Sequence, residues 1–128
     1  MILLDTSVLI KHLRTADPSI RTVLSSNPIG VSVVTRAEIL HGAKSDPNFA
    51  SLTRMLDTFH QFGVDDAGWV DLSRNLYEIR KRGLTVPFPD ALIATVAVRS
   101  GLELWTLDNH FRLMQAALPS LKLFTPAP

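Results

Sequence analysis

Four acidic residues stand where the chain turns from a β pattern into a helical one: Asp5, Glu38, Asp90 and Asp108. They follow or close short runs rich in apolar residues, MILLD, VSVVTRAE, TVPFPD and LELWTLD, and each opens or lies in the first turn of a helical pattern. If the strands run parallel, right-handed crossovers bring all four carboxylates to one edge of one sheet. Like charges gathered there oppose one another and raise some pKa values. A hard divalent cation would relieve that, and cation-assisted phosphate chemistry is the use that such a pocket suggests.

An acid at a helix start also has an ordinary role, capping free N–H groups and complementing the helix dipole. Asp5 and Asp108 fit N-caps before Thr6-Ser7 and Asn109-His110. Thr35-Arg36-Ala37-Glu38 reads as a capping box, with Glu38 reaching back to the Thr35 N–H. Asp90 resists this reading. Pro87 and Pro89 fix its approach, the helix it starts is strongly apolar, and no basic residue lies within seven positions on either side. A charge at the tip of a buried helix is costly without a partner. Magnesium or manganese suits oxygen ligands. Zinc fits less well, because there is no Cys and His12, His41, His60 and His110 show no paired ligand spacing. His110 is near Asp108 but falls on the next turn. Thr6 and Thr106 are hydroxyls beside acids, able to orient a water or a carboxylate and equally able to be a plain turn residue and a plain strand residue.

The elements that must position these residues read as follows. Strands are expected over 2–4, 29–34, 61–64, 102–107 and 121–124, the last at an edge. Helices are expected over 8–14, 19–25, 35–41, after Pro47, 66–82, 91–99 and 109–117, with Gly42, Gly83 and Gly101 as stops. Phe49, Leu52, Leu56 and Phe59 form one apolar face, and Trp69, Leu72, Leu76 and Ile79 another. Pro87 and Pro89 argue against helix before Asp90. The segment 91–99 is apolar on nearly all sides and should be buried against the sheet. This alternation predicts an α/β fold, a three-layer sandwich with a central, mostly parallel sheet of about five short strands and helices on both faces.

The 128 residues suit one domain, and 46% hydrophobic content argues against disorder. No apolar run approaches the roughly 20 residues of a membrane helix. No signal peptide is expected, since Asp5 and Lys11 interrupt the apolar start and no basic segment precedes it. The absence of Cys excludes disulfides and fits a reducing cytoplasm. A net charge of +1 neither demands nor forbids a nucleic-acid partner.

The ordered set of LLDTSVLI around Asp5, VSVVTRAEILHGA around Glu38, and PDALIATVAVRSGLELWTLDNHF holding Asp90 and Asp108 resembles the PIN-domain family, and specifically its VapC-type toxins. The resemblance spans essentially the whole chain. It implies a metal-dependent endoribonuclease with Asp5, Glu38, Asp90 and Asp108 as its catalytic acids. Asp5, Asp90 and Asp108 would hold Mg²⁺ or Mn²⁺, and Glu38 would complete the shell or take a proton from the attacking water. Thr6 and Thr106 are the supporting residues expected beside them. It further implies hydrolysis leaving a 5′-phosphate and a 3′-hydroxyl, a tRNA or ribosomal RNA substrate, a homodimer, and a VapB-type antitoxin in an apolar groove. Leu9, Leu13, Phe49, Leu52, Met55 and Phe59 are the groove candidates. Arg80-Lys81-Arg82 is the one basic run, readable as an RNA contact or as a solvated helix end. Arg36 is a further position whose role toward RNA stays open.

Three other readings compete. A nucleotide-binding module wants a Gly-rich loop at the first turn, where this chain has Asp5-Thr6-Ser7. A phosphoacceptor receiver wants a Lys after a late strand, and Lys122 falls too near the end. A housekeeping RNA-processing PIN nuclease shares the chemistry and is separated by genome neighbourhood.

Overall fold

The computed structural model describes residues 1–127. Five strands, β1 (Ile2–Leu4), β2 (Ile29–Ser32), β3 (His60–Phe62), β4 (Glu103–Trp105) and β5 (Lys122–Leu123), form one sheet in the order β3-β2-β1-β4-β5. Every pairing is parallel. Seven helices connect them: α1 (Thr6–Thr15), α2 (Pro18–Ser26), α3 (Val33–His41), α4 (Asp46–Asp57), α5 (Asp66–Lys81), α6 (Phe88–Ser100) and α7 (His110–Met114).

The strands alternate their side chains between two cores. Ile2 and Leu4 face a core with Val8, Leu9, Ile20, Ile39 and Leu56 from α1 to α4. Leu3 faces the other, with residues of α5, α6 and α7. Leu104 and Trp105 divide in the same way. The expected three-layer α/β architecture is therefore present, with both faces of the sheet covered.

Strands β1 to β3 progress in one direction and β4 then crosses to the far side of β1. The switch in strand order lies between β1 and β4, where the loops diverge and leave a crevice. Asp5 leaves β1 there, and Thr106 to Asp108 leave β4.

Helix α6 is the buried central helix, with every residue from Ala91 to Ala97 buried. Its one internal hydroxyl, Thr95, donates to the Ala91 carbonyl at 2.8 Å and accepts from Asn75 Nδ2 of α5 at 2.9 Å. That satisfies a polar group that would otherwise cost stability. Gly101 ends α6 in the left-handed region, φ 66°.

Two element boundaries differ from expectation and matter for the site. Helix α3 begins at Val33, not Thr35, because Ser32 is the N-cap and its Oγ accepts the Thr35 N–H at 3.2 Å. Val33 and Val34, strand-like by propensity, are overridden by that cap. Helix α6 begins at Phe88 and takes Pro89 into its first turn, where a missing N–H costs nothing. Two apolar assignments also change. Leu9 is core rather than groove, fully buried, and Trp69 is exposed rather than packed.

Candidate active site

Asp5 is built into the sheet. Its N–H continues the ladder by donating to the Trp105 carbonyl at 2.9 Å. The residue is 4% exposed and makes no capping bond to α1, so the helix-cap reading fails for it. Its Oδ2 instead accepts from Ser7 Oγ at 2.6 Å and Thr106 Oγ1 at 2.8 Å. Both hydroxyls are held as donors by backbone groups. The Leu107 N–H donates to Ser7 Oγ and the Asp108 N–H to Thr106 Oγ1, each at 3.0 Å. Two donors aimed at one oxygen fix the orientation of the Asp5 carboxylate.

Asp90 is the third residue of α6, its carboxylate 18% exposed. Burial, and then the charges of Asp5 and Asp108, push its pKa up to about 6, while His110 partly offsets them. Asp108 does cap locally, its Oδ1 accepting the His110 N–H at 3.0 Å. Its other oxygen lies 3.2 Å from His110 Nδ1, and Asp90 Oδ2 lies 3.5 Å from the same nitrogen. Asp90, Asp108 and His110 each present a ligand atom within 4.8 Å of the others.

Glu38 stands apart from that trio. Its Oε1 accepts from Thr6 Oγ1 at 2.7 Å, and it does not reach back to Thr35, whose N–H belongs to Ser32. The expected capping box is therefore not formed. The buried Thr35 hydroxyl donates to the Leu4 carbonyl at 3.3 Å and lies 3.2 Å from Thr6 Oγ1, tying α3 to the end of β1. Of the two hydroxyls read beside the acids, Thr106 donates to Asp5 and Thr6 to Glu38.

Two participants were missed or discounted in the sequence. Ser7 is the second donor to Asp5; a hydroxyl two residues after an acid at a strand end is a known local hydrogen-bonding pattern. His110 was set aside because it lacks a paired His, but its partners are carboxylates from two other positions. Among the described residues, no Lys or Arg pairs with Asp5, Glu38, Asp90 or Asp108. Arg36 is held by Asp57 and Gln61. Lys81 of the basic run pairs with Glu78.

The carboxylate oxygens fit a hard cation: among the described residues no Lys or Arg pairs with them, and they lie at a topological switch point. Beside it runs a cleft of about 580 Å³ whose walls include Ile10, Leu13, Ile39 and Leu52 with Arg14, Lys44 and Glu38.

Residues 2–116 match the family model described as the PIN domain. The chain is 31% identical over 102 residues to Ribonuclease VapC4 of Mycobacterium tuberculosis, covering 75% of each chain. It is likewise 31% identical over 119 residues to Ribonuclease VapC11 of the same species, covering 87% of this chain and 89% of that one. Among solved structures it is similar to VapBC2 from Rickettsia felis bound to a promoter DNA fragment, with a TM-score of 0.84, 22% identity, and coverage of 99% of this chain and 100% of that one.

Proposed function

This chain belongs to the PIN-domain family and, within it, to the VapC ribonucleases, and we propose that it is a divalent-cation-dependent endoribonuclease acting as the toxin of a toxin–antitoxin pair. The observation that carries the reading is the meeting of Asp90, Asp108 and His110 donors within 4.8 Å, with no Lys or Arg among the described residues paired to the two acids.

Asp90 and Asp108 would hold Mg²⁺ or Mn²⁺, and Asp5 would contribute the oxygen that its two hydroxyl donors leave free. The bound cation supplies Lewis acidity and positive charge against the phosphodiester. The remaining steps fall to the chain. Ser7 and Thr106 hold Asp5 in one orientation. His110 keeps Asp90 and Asp108 together. Glu38, exposed and oriented by Thr6, would complete the metal shell or take a proton from the attacking water. Hydrolysis by an activated water leaves a 5′-phosphate and a 3′-hydroxyl and does not use the RNA 2′-hydroxyl.

A VapB-type antitoxin would neutralise the enzyme by filling the cleft that contains Glu38. Of the groove candidates, Leu13 and Leu52 line that cleft and Phe49 is exposed, whereas Met55 and Phe59 pack partly against the core. Self-association would use the exposed Trp69, Val70 and Tyr77 of α5. Among the described residues, no helix is long and apolar enough to cross a membrane.

The test is induction in cells of the wild type, Asp5→Ala and Asp90→Asn, reading growth together with new 5′-phosphate RNA ends. Wild type should arrest growth and generate such ends, and both variants should do neither. Equal toxicity from the variants would remove the nuclease reading.

A further inference from the structure

Beyond the acids, on the β4–β5 side, two adjoining clefts share Thr106, Leu107, Arg112, Phe124 and Thr125. The larger is about 250 Å³ and extends to Lys11 and Ser19; the smaller reaches Asp108 itself. Both touch the catalytic edge directly, because Thr106 is the residue that holds Asp5. Leu107 sits between Thr106 and Asp108 with its side chain 50% exposed, although its N–H is committed to Ser7. An exposed Leu between two residues of a charged site contributes nothing to the core. Phe124 stacks at a tilt on the buried Trp105, ring centroids 5.4 Å apart, and so presents a supported aromatic wall.

The charges in this region are unequally engaged. Asp17 is occupied by the Ser19 N–H at 2.8 Å, the Ser19 hydroxyl at 2.6 Å and Lys11 at 3.5 Å. Arg112, exposed on α7, has no carboxylate partner among the described residues. An apolar and aromatic wall, hydroxyl groups and one unpaired guanidinium beside a phosphodiester-cleaving centre match the parts of a single-stranded nucleotide: a π-face, polar edges and a phosphate. The size sets the number. At just below the roughly 300 Å³ where small-molecule pockets begin, the larger cleft takes one base and not a stacked pair.

We propose that this cleft, bounded by Lys11, Ser19, Leu107, Arg112 and Phe124, is a subsite that seats one unpaired nucleotide of the RNA adjoining the scissile phosphate. It rests on the nuclease reading and adds what that reading lacks, a place where substrate is gripped outside the acids. The base packs on Leu107 and Phe124, and Arg112 meets the neighbouring phosphate. An unpaired nucleotide is favoured because a base in a duplex must first be unpaired and unstacked, at a cost of a few kcal/mol.

The test measures binding of a fluorescently labelled, random-sequence single-stranded RNA dodecamer to the full chain carrying Asp90→Asn, which blocks cleavage. Adding Leu107→Ala or Arg112→Gln should weaken binding about tenfold each, and the dodecamer annealed to its complement should bind poorly to the parent. Both side chains are exposed, so the unfolding midpoint should not move. Ser51→Ala, exposed on α4 and lining neither cleft, is the control and should bind like the parent. If wild type cleaves RNA while Leu107→Ala and Arg112→Gln bind like the parent, the subsite is overturned and the nuclease reading stands. Equal affinity for single-stranded and annealed RNA also overturns it. If wild type neither cleaves nor binds RNA, the nuclease reading fails and this proposal fails with it.

Discussion

The Thr106 hydroxyl donates to Asp5 Oδ2 at 2.8 Å, and its direction is fixed because the Asp108 N–H already occupies its lone pair at 3.0 Å. One side chain thereby couples the orientation of an acid on β1 to the loop carrying an acid after β4. Thr106→Val keeps the shape and removes the coupling. A lost hydrogen bond to a buried carboxylate costs about 1–3 kcal/mol. Val should therefore lower the unfolding midpoint and reduce cleavage rate at saturating RNA, with RNA affinity little changed. Ser7→Ala, removing the other donor, should do the same. Single-turnover cleavage beside thermal unfolding reads both effects, and a loss confined to RNA affinity would contradict the positioning role.

Asp90 gives a stability prediction of opposite sign. Its pKa is raised to about 6 by burial first and by Asp5 and Asp108 second. Between the unfolded value of 3.8 and about 6 the folded chain keeps a proton that the unfolded chain releases. This group's contribution is therefore fully present below about pH 4 and is lost as pH rises through 6. At pH 7.5 Asp90→Asn should stabilise the cation-free protein, by about 1–3 kcal/mol, while abolishing cleavage and the midpoint rise that Mg²⁺ gives the wild type. Thermal unfolding with and without Mg²⁺ decides it. A variant destabilised in the absence of the cation would show that Asp90 is structural.

The same shift sets the pH profile. Asp90 must be ionised to hold a cation, so at limiting Mg²⁺ RNA cleavage should rise through about pH 6. More Mg²⁺ should move that midpoint lower, because cation and proton compete for one carboxylate. His110 lowers the Asp90 pKa, so His110→Ala should move the midpoint higher. Cleavage profiles at two Mg²⁺ concentrations check both. A midpoint indifferent to Mg²⁺ would separate Asp90 from the cation.

Much of the architecture was legible because strand and helix periodicities alternate without interruption, and parallel topology then places Asp5 and Asp108 on one edge. The pairing of those edges with side chains was not. Thr35 carries a strong capping signal, yet Ser32 three residues earlier wins the cap, which frees Glu38 for Thr6. The partners of His110 come from α6 and the β4 loop, a proximity that only the folded chain creates. Trp69 fits a helical apolar stripe by spacing, but 46% of it faces solvent, an exposure that spacing alone does not reveal.

The chemistry of the products separates this mechanism from one that uses the RNA itself as nucleophile. Water attack should leave ends carrying a 5′-phosphate, degradable by an exonuclease that requires that group, and should tolerate a 2′-deoxy substitution at the cleaved position. RNA digested with wild-type protein and Mg²⁺, then mapped at its ends, reads both. A 2′,3′-cyclic phosphate would sink the water-attack mechanism for this chain.

Neutralisation gives the last prediction. Leu13 is 45% exposed on α1 and lines the cleft that also contains Glu38, yet belongs to neither buried core. Replacing it by Glu removes apolar contact and adds a charge in the cleft without disturbing packing. Surface changes of this kind usually move stability by no more than about 0.5 kcal/mol, so Leu13→Glu should fold and cleave RNA normally. Burying an unpaired carboxylate against a partner is far more costly. Cells co-expressing the neighbouring antitoxin should therefore grow with the wild-type toxin and arrest with Leu13→Glu, and pull-down should show the lost complex directly. Continued neutralisation with an intact complex would place the antitoxin on another face.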